Sequence, residues 1–464
     1  MGLFWIESHL VMVLGLVLGL MLTSYILLQK RSSSGTMAWM LVIIFLPYIG
    51  VPLYFMLGGR KLLRRASAKS VIGLEPVVVE PVEQAENPID HLLQTYNIPA
   101  AGAGNTIKLY TTGGDIYESF VELIESATKS IYISTYVYAK DDIGRDILRR
   151  LVSKASQGVE VKLLLDGVGS LHTHHQFFED LVKAGGQISY FMPVIHRPFR
   201  GRANLRNHRK ILLVDGQKVI AGGTNIAKEY MGPLPFSGQW RDFSFALEGP
   251  AVVYYASIFG WDWEFASGEK LVYERKNLTY NSDIEGSSFV QIVPSGPDVP
   301  SDALYDSLLS CIYASQKRLW IVTPYFVPDE SLVQALILAC RRGVDVRIIL
   351  PKKSNHILPD IVRGEYLREI QHAGGKIFLY MKGMVHGKAL LMDNEFAILG
   401  SANMDIRSLF LNYEIAVFVY NQNTINESEE WMNDLLLSSQ EGISSVSLAW
   451  RLFESTVRIL TPLL

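Results

Sequence analysis

Cysteine is nearly absent: Cys311 and Cys340 are the only two in a chain of 464 residues. Both fall in apolar, helix-like stretches. Two buried thiols are expected there, and a disulfide framework is excluded. A surplus of charge of one sign is also missing. Lysine and arginine number 43 against 46 aspartates and glutamates, a formal net charge of -3. Global charge therefore gives no reason to bind nucleic acid, and any basic site must be local. The N-terminus lacks the basic segment of a cleaved secretion signal, with Glu7 and His9 in its place. Clustered metal ligands are scarce too. His172, His174 and His175 lie in a polar loop and read as loop residues, so no metal or cofactor is assigned.

What is present is apolar mass. Hydrophobic residues make up 49% of the chain and mean hydropathy is +0.18. Leu10 to Leu28 is 19 residues without a charge, and Met37 to Leu57 is a second such run of 21. A bilayer core takes roughly 20 helical residues, so residues 1–60 are expected to form a pair of membrane helices. Pro47 and Pro52 interrupt the second run, which either kinks or dips in without crossing. Lys30 and Arg31 lie between the runs, and Arg60, Lys61, Arg64, Arg65 and Lys69 follow the second. The larger basic cluster is expected on the cytoplasmic side, with the remaining residues. Residues 61–105, rich in Pro, Glu, Ala and Gly, read as a linker.

Beyond the linker, short β-branched runs alternate with helical spacing, the signature of an α/β domain. The pattern occurs twice. SIYISTYVY (Ser130 to Tyr138) recurs as RLWIVTPYF, and QGVEVKLLL as RGVDVRIIL. KAGGQISYF recurs as HAGGKIFLY, and NHRKILLVD (Asn207 to Asp215) as VHGKALLMD (Val385 to Asp393). The offsets stay between 178 and 189 residues. Four matches in one order indicate a tandem duplication, with halves at 106–285 and 286–464. Such halves can pack about a pseudo-two-fold axis that brings equivalent residues face to face.

Each half holds His-x-Lys-x4-Asp: His208, Lys210, Asp215 and His386, Lys388, Asp393. On a strand, the His and Lys share one face. An Asn follows each His by 17 residues, Asn225 and Asn403, and a carboxylate follows each Asn, Asp242 and Glu414. These types suit attack on a phosphodiester. One neutral imidazole can be the nucleophile, and a second, protonated, can donate to the leaving oxygen. Lysine and asparagine can hold the non-bridging oxygens, and a carboxylate can fix each imidazole's tautomer. One histidine cannot do both jobs at once, which accounts for two copies, and no metal is required. Asp215 and Asp393, grouped with the catalytic set as members of the motif, sit five residues beyond the Lys and are expected to brace the site from a distance.

At these residues the chain resembles the phospholipase D superfamily, whose signature is two HxKxxxxD motifs with a downstream GS/GG-x-N. Within it the chain is similar to the bacterial cardiolipin synthases, through GQWRDF (Gly238 to Phe243), WDWE (Trp261 to Glu264), PSGPDVP (Pro294 to Pro300), TPYFVP and NMDIRSLFLNYE (Asn403 to Glu414). The resemblance covers nearly the whole chain. It implies two tandem phospholipase D-like domains of mixed β-sheet flanked by helices, placed in a bacterial inner membrane. It also implies transfer of a phosphatidyl group between two phosphatidylglycerol molecules, giving cardiolipin and glycerol through a phosphatidyl-histidine. His208 is then the nucleophile, and His386 the acid and later the base. Gly223 departs from the pattern where many relatives have Ser, which predicts one weaker phosphate contact.

The run His196 to Lys210 holds Arg197, Arg200, Arg202, Arg206 and Arg209. Arg200 and Arg202 are expected to bind anionic lipid headgroups. The C-terminal stretch Leu448 to Leu464 is amphipathic and either lies in the membrane interface or packs on the core. A homo-oligomer is compatible with this reading. The same residues would serve another phospholipase D-type enzyme, a hydrolase or a phosphatidylserine synthase, because acceptor choice is pocket geometry. The membrane runs and negative charge argue against a nuclease, and two complete motifs argue against a non-catalytic scaffold.

Overall fold

The computed structural model describes residues 2–27, 33–57, 69, 72–76, 87–193, 205–271, 288–299 and 301–458. They divide into two compact units, the N-terminal helices and a body of residues 69–194 and 206–462.

In the N-terminal unit α1 spans Gly2–Leu27, α2 Ser33–Phe45 and α3 Pro47–Leu57. The second apolar run is therefore not one helix. A residue before proline is steered away from the α region, and Pro47 has no N–H to extend the ladder. The chain breaks at Leu46 and doubles back. Trp39 of α2 meets Tyr54 of α3 edge-on, with ring centroids 5.2 Å apart; on one straight helix they would be about 22 Å apart. Gly50 permits the close return, because a Cβ there would lie 2.7 Å from the Val42 carbonyl oxygen. Ile43 and Tyr54 pack with Leu22 and Ile26 of α1. This corrects the expected pair of membrane helices. The arms of the hairpin have 13 and 11 residues, reaching about 20 and 16 Å against a ~30 Å hydrocarbon core. Among the described residues no helix is long and apolar enough to cross a membrane.

The body's first half contains β1 (Gly102–Tyr110), β2 (Ser130–Thr135), β3 (Glu160–Asp166), β4 (Gln187–Phe191), β5 (Ile211–Val214), β6 (Lys218–Gly222) and β7 (Ser244–Glu248). The second half contains β8 (Ser288–Ser295), β9 (Arg318–Val322), β10 (Phe326–Val327), β11 (Asp345–Pro351), β12 (Lys376–Tyr380), β13 (Ala389–Met392), β14 (Phe396–Gly400), β15 (Met404–Asp405), β16 (Glu414–Val419) and β17 (Ser439–Glu441). Apart from the short β10–β15 ladder they form one sheet, in the order β4-β3-β2-β5-β6-β7-β1-β8-β16-β14-β13-β9-β11-β12-β17. Read outward from the β1–β8 seam, each half repeats the other, with β17 added at one edge.

In both halves the outer strands are parallel, β2–β3–β4 and β9–β11–β12, and the inner ones antiparallel. The parallel strands are joined by helices at Asp142–Ser156 and Glu330–Arg341. Covered strands of this kind read as continuous apolar runs, as Ile131 to Ile133 and Leu163 to Leu165 do. Each half has its own core, around Ile133, Leu163 and Leu212 in one and Ile321, Ile348 and Leu390 in the other. Cys311 and Cys340 are buried and unpaired. Burial pushes both thiols up, Cys340 to about 11. The body is thus the expected α/β fold of two tandem, duplicated halves, and both belong to the same compact unit.

Candidate active site

Each His-x-Lys segment is extended and leads into a strand, β5 or β13. Its backbone pairs with the other half. Asn207 bridges Tyr413, and Arg241 bridges Val385, both in parallel. The His208 N–H donates to the Tyr413 carbonyl at 2.9 Å, and the His386 N–H to the Arg241 carbonyl at 2.7 Å. The residue after Tyr413 is Glu414, and the residue after Arg241 is Asp242. This register therefore sets each histidine beside the carboxylate of the opposite half. His386 Nδ1 lies 2.8 Å from Asp242 Oδ2. His208 Nδ1 lies 3.2 Å from Glu414 Oε1, within ion-pair reach but without hydrogen-bond alignment.

The lysines close the ring of charge. Lys210 Nζ donates to the His208 carbonyl at 2.7 Å, and Lys388 Nζ lies 2.8 Å from His386 Nδ1. Burial pulls Lys210 down to about 8, against the attraction of Glu414 and Asp242. It pulls Lys388 down to about 7, against Asp242 and with help from Lys210. Burial, then the adjacent lysine, lowers both histidines, His386 to about 3. Each histidine also feels the lysine of the other half, so the two motifs share one site. Glu414, although burial favours its neutral form, is held below the usual carboxylate range by His208 and Lys210.

Asn225 accepts the Val137 N–H at 3.1 Å through Oδ1. Asn403 donates to Ser408 Oγ at 3.1 Å, and its buried Oδ1 has no partner among the described residues. At Asn225 the N–H partner fixes which end of the amide carries oxygen.

The Gly223 expectation is corrected. A Cβ at Gly223 would lie 2.3 Å from Asp242 Oδ1, so this position abuts the carboxylate and glycine makes room for it. Its counterpart Ser401 donates to Glu414 Oε2 at 2.6 Å. The motif aspartates make their contacts away from the histidines. Both sit in turns with left-handed backbone, φ 53° at Asp215 and 49° at Asp393, a region Asp tolerates better than most residues. Asp215 accepts the N–H groups of Thr128, Lys129 and Ser130. Asp393 accepts those of Gln316, Lys317 and Arg318. They tie each turn to the start of β2 or β9.

The basic run divides. Arg200 and Arg202 lie outside the described residues. Arg209, in the same basic run, is fully buried and turned away. It pairs with Asp262 at 2.8 Å and Asp298 at 3.2 Å, and its Nε donates to the Glu414 carbonyl at 3.1 Å. Lys69 joins both acids, at 2.6 Å from Asp298. Arg206 pairs with Asp166 at 3.3 Å. A buried charge cluster thus sits immediately behind His208. Asp262 and Asp298 come from the WDWE and PSGPDVP blocks, which sequence reasoning marked only as resemblance. The aromatic walls were also missed. Tyr136 tilts over His208 at 4.3 Å, and Tyr230 and Trp240 lie 5.0 and 5.5 Å from His386. Trp240 stands in the GQWRDF block, which was signal enough to find it. His172, His174 and His175 are exposed.

Two histidines, two lysines and two crossed carboxylates at the junction of duplicated α/β halves define a phospholipase D-like protein. A solved phosphatidylserine synthase of Haemophilus influenzae Rd KW20 has the same fold, with a TM-score of 0.62 at 16% identity over 81% of this chain and 98% of that one. Residues 120–242 and 308–436 match the family described as cardiolipin synthase, PLD-like domain, and residues 17–59 match the phospholipase D-nuclease N-terminal family. Cardiolipin synthase 1 of Bacillus anthracis is 34% identical, over 95% of this chain and 91% of its own length. The major cardiolipin synthase of Bacillus subtilis (strain 168) is 31% identical, over 98% and 99%. The chain belongs to the cardiolipin synthase family, phosphatidyltransferases of the phospholipase D superfamily.

Proposed function

We propose that the protein transfers a phosphatidyl group from one phosphatidylglycerol to the free hydroxyl of another, releasing glycerol and forming cardiolipin. The observation that carries the mechanism is the crossed pairing, His208 with Glu414 and His386 with Asp242. With Nδ1 of each ring turned to a carboxylate, Nε2 is the nitrogen left for chemistry. His208 Nε2 attacks the donor phosphorus. The P–O bond to glycerol breaks, and His386 gives its proton to the departing oxygen. The hydroxyl of the second phosphatidylglycerol then passes its proton to His386 and attacks the same phosphorus. The P–N bond breaks and His208 is restored. Lys210, Lys388 and the amides of Asn225 and Asn403 hold the non-bridging oxygens, where electrostatic stabilisation is worth most in a buried site. In the empty site burial and the lysines keep the histidines neutral, which suits attack. The charge of a bound phosphodiester offsets the lysines and lets His386 take its proton.

The same reading places the protein in a bacterial inner membrane. The N-terminal helices are inserted, and the basic residues from Arg60 to Lys69 hold the catalytic body on the cytoplasmic face. Purified full-length protein given phosphatidylglycerol labelled in its headgroup tests the reaction. Cardiolipin and free glycerol in equal amounts are expected. Phosphatidic acid without cardiolipin would make the protein a hydrolase.

A further inference from the structure

The C-terminal helix Leu448–Arg458 is packed inside out. Its charged edge faces the protein. Glu454 is 4% exposed and is gripped by Arg368 of the helix Ile357–His372 and by Trp450 Nε1 at 2.8 Å. Arg458 and Ser455 both reach Glu365 at 3.3 Å. The slot is built for this. A Cβ on Gly364 would lie 2.5 Å from Glu454 Oε1. The apolar edge faces outward, with Leu448 72%, Leu452 63% and Phe453 47% exposed. At 100° per residue these three, with Ala449 and Thr456, span roughly 140° of the helix. A helix facing water carries the reverse pattern.

The supporting helix also begins with outward apolar residues. Its first residues, Ile357 and Leu358, are 78% and 44% exposed. They follow His356, whose ring lies 5.4 Å from Tyr325. The Tyr325 carbonyl in turn accepts from the Thr323 hydroxyl at 2.8 Å, and that hydroxyl accepts the Met404 N–H at 3.1 Å, beside Asn403 of the site. The start of the supporting helix, with its outward Ile357 and Leu358, thus lies toward the site that must receive a two-chain lipid.

We propose that the helix Leu448–Arg458 docks the catalytic body on an anionic bilayer surface. Leu448, Leu452 and Phe453 enter the boundary between headgroups and acyl chains. Exposed Arg451 at the edge of this face, with partly exposed Arg458 beyond it, matches the negative headgroups. The choice of a bilayer as occupant rests on the lipid-substrate reading above.

The test uses the full chain in vesicles of phosphatidylglycerol and phosphatidylcholine, spin-labelled at Leu452→Cys. The native thiols are buried. Gln157→Cys, exposed on the first half, is the control. The ratio of oxygen to nickel-chelate collisions should be at least about fivefold higher at 452 than at 157, as for an interfacial site. Equal ratios would overturn the proposal, as would spin–spin broadening at 452 that disappears on dilution, which means a second copy covers the face. A double variant, Leu452→Ser with Phe453→Ser, should raise the apparent KM for long-chain phosphatidylglycerol in vesicles about tenfold. Its turnover of short-chain, soluble phosphatidylglycerol should be unchanged. An unchanged vesicle KM refutes docking. Absence of short-chain turnover in the wild type refutes the substrate reading and leaves the label to decide the docking.

Discussion

The two halves carry the same chemistry but hold it differently. Asp242 is committed to His386: Oδ2 faces Nδ1 at 2.8 Å, and Oδ1 is occupied by the Phe243 N–H at 2.8 Å. Glu414 is shared. Ser401 takes Oε2 at 2.6 Å, while Asn412 at 3.3 Å and His208 at 3.2 Å compete for Oε1. Carboxylate length and neighbour go together, short Asp242 with Gly223 and longer Glu414 with Ser401. A committed carboxylate suits a ring that carries a proton, because it stabilises the imidazolium. A shared one suits a ring that must put its electrons into a P–N bond. Duplication supplied two equivalent histidines, and this divergence in their braces separates their roles.

Removing each histidine breaks the comparison most sharply. His208→Ala and His386→Ala should each lower cardiolipin formation by about 10^4 or more, since losing either nucleophile or proton donor is that costly. They should part on a donor whose leaving group is 4-nitrophenol, which departs without a proton. His386→Ala should then release nitrophenol in a burst and leave phosphatidyl on the enzyme, detectable by mass spectrometry. His208→Ala should do neither. A burst from His208→Ala would exchange the assignments.

The carboxylates come next. Asp242→Asn should lower kcat about 10^2 to 10^3-fold, because an amide cannot stabilise the imidazolium and favours the wrong tautomer. Glu414→Gln should cost about tenfold, in line with its longer and unaligned contact. Steady-state kinetics on mixed micelles decides the order, and equal losses would remove the distinction between committed and shared braces.

Much of this was legible in the sequence. The duplication, both His-x-Lys pairs and the α/β class are carried by local periodicity and spacing, and the family by resemblance in the motifs and flanking blocks. The crossing of the carboxylates was not. Asp242 follows Asn225 just as Glu414 follows Asn403, and nothing in that order tells which histidine each will face. The bridges Asn207–Tyr413 and Arg241–Val385 decide it, and they join segments 206 and 144 residues apart. The inward turn of Arg209 was hidden for the same reason, since its partners Asp262 and Asp298 arrive from distant helix and loop. The hairpin in the second apolar run was half legible. Pro47 marked a break, but only the Trp39–Tyr54 contact turns a kink into a return.

The position before the carboxylate brace sharpens the comparison further. Gly223→Ser puts a Cβ into contact with Asp242 Oδ1, so Asp242 must shift and its hold on His386 loosen. A loss of about 10 to 10^2-fold in kcat is expected, between the intact brace and Asp242→Asn. Ser401→Gly leaves Glu414 one donor short and should cost only a few-fold. If the two variants are equal, the glycine is not a space-holder.

Both lysines are lowered by burial, to about 8 at Lys210 and about 7 at Lys388, so each is charged below that value and neutral above it. The charged form holds the phosphodiester. kcat/KM, which reports the free enzyme, should therefore fall as pH rises through about 7 to 8. In Lys388→Arg, which stays charged, the limb should move to higher pH even though the rate is lower. A limb that stays in place belongs to another group.

The smallest effect concerns the motif aspartates, and it separates bracing from chemistry. Asp215 lies near the surface. Burial favours its neutral form, but the N–H groups of Ser130, Thr128 and Lys129 outweigh that and hold it below the usual carboxylate range. A carboxylate depressed in the folded state adds stability above its unfolded value, near 3.9, and that stability is lost as pH falls through the lower folded value. Asp215→Asn keeps one acceptor oxygen for the turn but loses the charge. It should lower unfolding free energy by about 1 kcal/mol at neutral pH, discounted for solvent screening. The gap from wild type should close as pH drops below about 4. Urea midpoints across pH measure this, and kcat on the same samples should stay within about twofold, because the side chain touches the β2 start and not the histidines. A loss of turnover without a loss of stability would return Asp215 to the catalytic set, and its counterpart Asp393→Asn then shows whether the second half follows.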